Sequence, residues 1–319
     1  MVRQHDKTVT WFGQPITTCR GTLAELRAGV PSFERTPFGP EGSQNEFLHT
    51  IVRKPIGEDK RFIPVATVSP QYDLVQHHEV FKWLAEGLKS IGEYSGEPSG
   101  TLTLSKYGER MQLTIRLPKH EFDPGDKYPL TLLAHALNSV DKSTALEIHL
   151  SWWRQICSNG MKVQVKGPTA RRIHLMGRNA ASEVGSMLQD QLAGIRAEQN
   201  RYGGWLKAPI GLGQIEQWAD ADVARAWGPH AAARLCHIAR TGQDGQIVNP
   251  FEEALPHDLR VASEQQVPGA FAPVNNAYHV SQILSWLASH RATIQGRHER
   301  TAEIGKLMRV LLRQNASSQ

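Results

Sequence analysis

Six cations stand together in a stretch of chain that carries no acid. Between Ile148 and Ser182 lie Arg154, Lys162, Lys166, Arg171, Arg172 and Arg178, with neither Asp nor Glu among 35 residues. That local charge of +6 exceeds the formal +5 of the whole molecule, so the rest of the chain is nearly balanced. Guanidinium and ammonium groups concentrated in this way hold phosphates, displacing the counterions of a polyanion. Trp152, Trp153, His149 and His174 are interleaved with them, and flat rings among cations offer stacking faces to unpaired bases. The competing reading is a solvated strand face whose counter-charges come from elsewhere in the fold.

Within the stretch, Arg171, Arg172 and His174 stand ahead of a helix expected to start near Ala180. Amides of that helix start would add to a phosphate site. Strict alternation puts Arg154 on the apolar side with Ile148, Leu150 and Trp152. It is therefore either re-aimed by a bulge or paired with a carboxylate, for which Asp141 and Glu147 are the candidates. Trp153 falls on the opposite, His149 side and is the expected stacking residue. The candidate nucleic-acid-binding set is thus Arg154, Lys162, Lys166, Arg171, Arg172, His174, Arg178 and Trp153, with Tyr107 as a second stacking platform.

Catalytic patterns are weak elsewhere. His77-His78-Glu79 lacks the spacing that sets two histidines on one helical face for a metal. Gly211-Leu212-Gly213 has neither the third glycine nor the preceding strand of a dinucleotide fingerprint. Cys236-His237 are neighbours in sequence, whereas a nucleophile and its base are defined in space. Asp123, Asp126 and Asp141 read as turn residues. No cofactor and no metal is expected, and enzyme activity is not the favoured reading.

The elements that must position the cations are legible from periodicity. Residues 1–45 read as an arm holding one short helix, capped by Thr22 with Glu25 three residues on. Strands are expected at Phe47–Val52 and Phe62–Val68, where Pro64 signals an edge or a bulge. Phe81, Leu84, Leu88 and Ile91 recur at helical spacing over His78–Ile91. Alternating runs follow at Thr101–Leu104, Met111–Leu117, Leu130–Asn138 and Ala145–Trp153. Ser158-Asn159-Gly160 then signals a tight hairpin returning through Met161–Val165. A helix over Ala180–Asn200 is expected to stop at Tyr202-Gly203-Gly204. The terminal helix spans about Asn276–Leu312, with a break near Gly296.

This order predicts an α+β fold: an antiparallel β-meander with long helices packed on one face, followed by a mostly helical C-terminal region. The boundaries are 1–45 for the arm, 46–202 for the core and 203–319 for the helical part. The free sheet face would then carry Lys162, Gln164, Lys166 and the polar side of Gln112–Arg116. Apolar residues at 40 % and charged residues at 21 % are globular proportions. There is neither a membrane-length apolar run nor a signal-peptide block. Three cysteines, an odd number without metal spacing, fit a reduced cytoplasmic protein.

Several segments are also familiar together. RQICSNGM (Arg154–Met161), preceded by NSVDKSTALEIHLSWW (Asn138–Trp153) and followed by RRIHL (Arg171–Leu175), resembles the core of the phage/plasmid-like protein family, domain of unknown function 932. TLAELRAG (Thr22–Gly29), VSPQYDLVQHHEVFKWL (Val68–Leu84), YGERMQLTIRLP (Tyr107–Pro118) and VNNAYHVSQILSW (Val274–Trp286) extend the likeness over nearly the full chain. The family's recurring Arg…Cys-x-Asn core would single out Arg154, Cys157 and Asn159, with His174 after it. Lys142 stands where the family usually has glycine after Asp141, and Gly160 follows Asn159 where the family is more varied.

Members sit on mobile elements, near genes for single-strand DNA handling and host-defence evasion. The element order separately resembles the core of ring-forming single-strand annealing proteins, a likeness of topology that leaves a homo-oligomer open. The expectation is therefore a mobile-element DNA-binding protein that binds or anneals single strands in recombination. The alternative is a host-defence inhibitor or adaptor that acts by protein–protein binding.

Overall fold

In a computed structural model the chain is described over residues 2–93, 98–124, 129–154, 161–164, 170–171, 180–244, 265–291 and 293–317. The elements run β1 (Val2–Trp11), β2 (Gln14–Thr22), α1 (Leu23–Ala28), β3 (Phe33–Phe38), β4 (Asn45–Arg53), β5 (Ile63–Val68), α2 (His77–Ser90), β6 (Ser99–Ser105), β7 (Arg110–Phe122), β8 (Leu130–Ser139) and β9 (Glu147–Arg154). There follow β10 (Met161–Gln164), β11 (Ala170–Arg171), α3 (Ala180–Ala193), α4 (Ile195–Lys207), α5 (Leu212–Trp218), α6 (Ala224–Trp227), α7 (Pro229–Thr241), β12 (Gln243–Asp244), β13 (Gln265–Gln266), α8 (Ala277–Ser289) and α9 (Ile294–Ser317). A π-helical segment, Ala219–Val223, joins α5 to α6.

The fold is α+β, as expected. Its main sheet has the strand order β1-β2-β6-β7-β8-β9-β10, with β11 pairing β9. A smaller sheet has the order β3-β4-β5. The chain divides into two compact units. The first holds residues 1–120, 132–151 and 165–195; the second holds 121–131, 152–164 and 196–319.

The first unit contains most of the meander. Residues 1–45 supply more than the expected short helix, because β1 and β2 pair antiparallel and β2 pairs β6. The capping box at Thr22 is present: its hydroxyl accepts from the Glu25 amide at 3.3 Å, and the Glu25 carboxylate accepts from the Thr22 amide at 2.9 Å. Pro64 sits on the edge strand β5, where the register against β4 slips between Ile51 and Val52. That is the bulge and edge a proline lacking its N–H requires. The helices α2 and α3 pack against each other at a pair of glycines. A Cβ on Gly87 would stand 2.9 Å from Val184 Cγ1 and 3.1 Å from the Gly185 nitrogen.

Both faces of β8 are buried along its length. The polar side of the meander is consequently not the open surface that alternation suggests. Gln112 is buried, Thr114 is half-buried, and of that row Arg116 is exposed. Polar residues on a strand mark contact with water only when nothing covers them, and here Thr114 Oγ1 meets His135 Nδ1 at 3.0 Å inside the fold.

The second unit is helical apart from short strand segments. Ile215, Trp218, Leu235, Ile238, Ile283 and Leu284 are among its fully buried core residues. The helix expected to end at Tyr202-Gly203-Gly204 instead breaks at Gly194 and resumes as α4 through all three residues. Two glycines cost a helix about 1 kcal/mol each. Tyr202 offsets that cost: it is fully buried, stacked on Phe122 at 6.4 Å and edge-on to Tyr278 at 5.8 Å. The terminal helix is two helices, with Thr293 capping α9 through the Gly296 amide at 3.2 Å.

Candidate nucleic-acid interface

The structure places part of the predicted set on described strands. Trp153 and Arg154 end β9 and Lys162 lies on β10, all in the second unit. Arg171, in the first unit, lies on β11 in register opposite Glu147. Trp152 is fully buried and Trp153 half-buried, on a side of β9 where His149 and Ser151 are buried. Lys166, Arg172, His174 and Arg178 lie outside the described residues, as do Cys157, Asn159 and the Asn159-Gly160 turn. Tyr107 is half-buried, with the Lys106 ammonium 5.2 Å from its ring centre.

The carboxylates considered for Arg154, whose side chain lies outside the described residues, each have a described neighbour. Asp141 accepts from Arg110, at 2.8 Å from Nε and 2.6 Å from Nη2. The same guanidinium donates to Ser143 Oγ at 2.8 Å and to the Trp11 carbonyl at 3.1 Å, and lies 4.7 Å from the centre of the Phe12 ring. Arg110 and Asp141 expose only 10 % and 7 % of their side chains, so this is a buried ion pair whose hydrogen bonds offset its desolvation. Glu147 stands 3.4 Å from His149 Nδ1. Alternation could not reveal the Arg110 pair, because 31 residues separate its members.

A second polar knot joins three of the familiar segments. His77 opens α2 and is fully buried. Its Nε2 donates to the Gly108 carbonyl at 2.8 Å, so its Nδ1 accepts from Asn138 Nδ2 at 2.9 Å. Asn138 also donates to the Val75 carbonyl at 3.0 Å. Burial pulls the His77 pKa down to about 4, which keeps the ring neutral. Gly108, at φ 75°, is required in its turn, since a Cβ there would meet Pro31 Cγ at 2.5 Å.

A third seam crosses the sheet. His135 Nε2 meets Ser151 Oγ at 2.6 Å, and its Nδ1 meets Thr114 Oγ1 at 3.0 Å. The His149 ring stacks on His135 at 5.0 Å. A serine on a histidine has the outline of a nucleophile and its base. Here, though, both are sealed, at 2 % and 0 % exposure, and the third group is a hydroxyl and not a carboxylate. The seam satisfies polar groups inside the fold, as buried groups must be satisfied. Burial raises the Cys236 thiol pKa to about 11, which disfavours the thiolate.

β9 is held from one further side. Beyond its pairing with β11 at Glu147 and Ile148, its Leu150 amide donates to Gln191 Oε1 of α3 at 2.8 Å. The strand that leads into the cationic stretch is thus anchored by a helix side chain.

Sheet and knots together define an α+β protein whose most recognisable residues, Tyr107 to Arg110, His77 and Asn138 to Asp141, serve to lock one sheet. The chain belongs to the family described as "Domain of unknown function (DUF932)", whose model matches residues 64–235, just over half of the 319. No match is found among curated proteins or among solved structures.

Proposed function

We propose that the protein is a phage- or plasmid-borne DNA-binding protein that binds or anneals single strands during recombination. One observation carries the reading: the acid-free stretch from Ile148 to Ser182 with its six cations and interleaved rings. Its start is a strand held to α3 through Gln191, and it ends in that helix. Phosphates would be held by Arg154, Lys162, Lys166, Arg171, Arg172 and Arg178, with His174 beside them and Trp153 as the stacking ring. Replacing Lys162, Lys166, Arg171 and Arg172 together by glutamine tests it. Oligonucleotide affinity and its dependence on salt should both fall. Unchanged affinity and slope in a folded variant would move the interface elsewhere.

A second reading, an adaptor or inhibitor of a host protein, is favoured by the small sheet. Phe47, Phe62 and Phe38 are 72 %, 60 % and 40 % exposed there, on or beside three short strands. Exposed aromatic side chains so grouped suit a protein partner. A stoichiometric partner captured by the wild type and lost on changing Phe47 and Phe62 to serine, with no affinity for DNA, would select this reading. No helix among the described residues is long and apolar enough to cross a membrane.

A further inference from the structure

The second unit carries a separate cluster of arginines around the start of α9. Arg291 folds back over the first turn of that helix: its Nε lies 3.6 Å from where a Cβ on Gly296 would stand. Its carbonyl accepts from Arg297 Nε at 2.7 Å, which fixes the corner. One turn on, Arg300 donates to the Trp227 carbonyl at 2.8 Å and lies over the Trp227 ring at 5.0 Å. Arg234 of α7 is held by Asp244, which also accepts from Trp286 Nε1 at 2.6 Å. The Trp286 ring packs against His290, the residue before Arg291, at 3.7 Å.

The counter-charges are already engaged. Asp244 serves Arg234 and an indole, and Glu303 accepts from Trp227 Nε1 at 2.7 Å. Among the described residues no carboxylate comes within 4 Å of Arg291 or Arg300. The second of these is half-buried, so its charge is desolvated without an ion pair. We propose that Arg234, Arg291 and Arg300 form a binding site for a phosphate group. Planar guanidiniums match phosphate oxygens in pairs, and a phosphate monoanion would balance the single positive charge that the two carboxylates leave over. Arg300 also shows the strain of that imbalance. Burial first, and then the like charges of Arg291 and Arg234, pull its pKa down to about 10.

The phosphate can belong to a nucleic-acid backbone or to a free or small phosphorylated molecule, and the site does not depend on the interface proposed above. The test is ³¹P NMR titration of the full chain with inorganic phosphate, repeated in the presence of a single-stranded oligonucleotide. Wild type should bind phosphate, and the Arg291→Gln plus Arg300→Gln variant should bind about ten-fold or more weakly. Arg291→Gln alone, at an exposed residue, should weaken binding in the same direction and guards against a misfolded double variant. Lys306→Gln plus Arg309→Gln removes as much charge from the exposed face of α9 and should bind as wild type does. Displacement of phosphate by the oligonucleotide would assign the site to a nucleic-acid backbone; binding without displacement would assign it to free phosphate or a small phosphate ester. Absence of phosphate binding to wild type, or equal weakening in the Lys306 and Arg309 variant, would overturn the proposal.

Discussion

His77 ties a helix start to a turn and to strand β8 through a neutral ring, and that neutrality has a cost in acid. The folded pKa of about 4 lies below the ordinary 6.5, so at intermediate pH the unfolded chain binds the extra proton. Stability from this residue is full above pH 6.5 and is lost as pH falls toward 4, about 3 kcal/mol in all. His77→Asn, which does not titrate, should flatten that part of the urea-midpoint profile between those pH values. The Arg110–Asp141 pair makes a second expectation. Asp141→Asn leaves the buried Arg110 guanidinium with only the longer Glu109 contact, 3.7 Å from Nη1, and should lower stability by up to about 3 kcal/mol in urea denaturation. Directly after Asp141, Lys142 adopts φ 65°, a left-handed position that side chains resist and glycine does not. Lys142→Gly, the residue the family resemblance suggests, should therefore stabilise by up to about 1 kcal/mol. Local chemistry such as the Thr22–Glu25 box could be read from the chain, since both partners lie within one turn. The Arg110–Asp141 and His77–Asn138 contacts could not, because their partners lie 31 and 61 residues apart and only the tertiary fold brings them together.

Helices and strands were legible where one face alone decides them. The meander, α2 and the bulged edge at Pro64 follow from alternation, 3.6-residue spacing and a missing N–H. The expectation failed at α4, where Gly203 and Gly204 read as a stop but Tyr202 is locked among Phe122, Trp205 and Tyr278. A Cβ on either glycine would meet nothing within 4 Å. Gly203→Ala and Gly204→Ala should therefore each raise stability by up to about 1 kcal/mol in thermal or urea unfolding. Gly87 is the opposite case. There the Val184 and Gly185 contacts outweigh helix propensity, and Gly87→Val should lower stability by about 1–3 kcal/mol. The same pair of tests separates glycines kept for approach from glycines merely tolerated.

At the scale of the whole molecule, charge was more legible than surface. The sequence shows that six cations gather within 35 residues of a chain with a net charge of only +5. Which strand face is open is another matter, because β8 is covered on both sides and Gln112 is buried with it. Burial of that kind depends on elements distant in sequence, and no pattern within a strand encodes it. The central claim is electrostatic, so ionic strength is its most direct probe. In fluorescence anisotropy with a labelled single-stranded oligonucleotide, the logarithm of the wild-type affinity should fall against the logarithm of salt concentration with a slope of roughly −4, for about six neutralised phosphates. No binding at about 50 mM salt, or an affinity indifferent to salt, would contradict it.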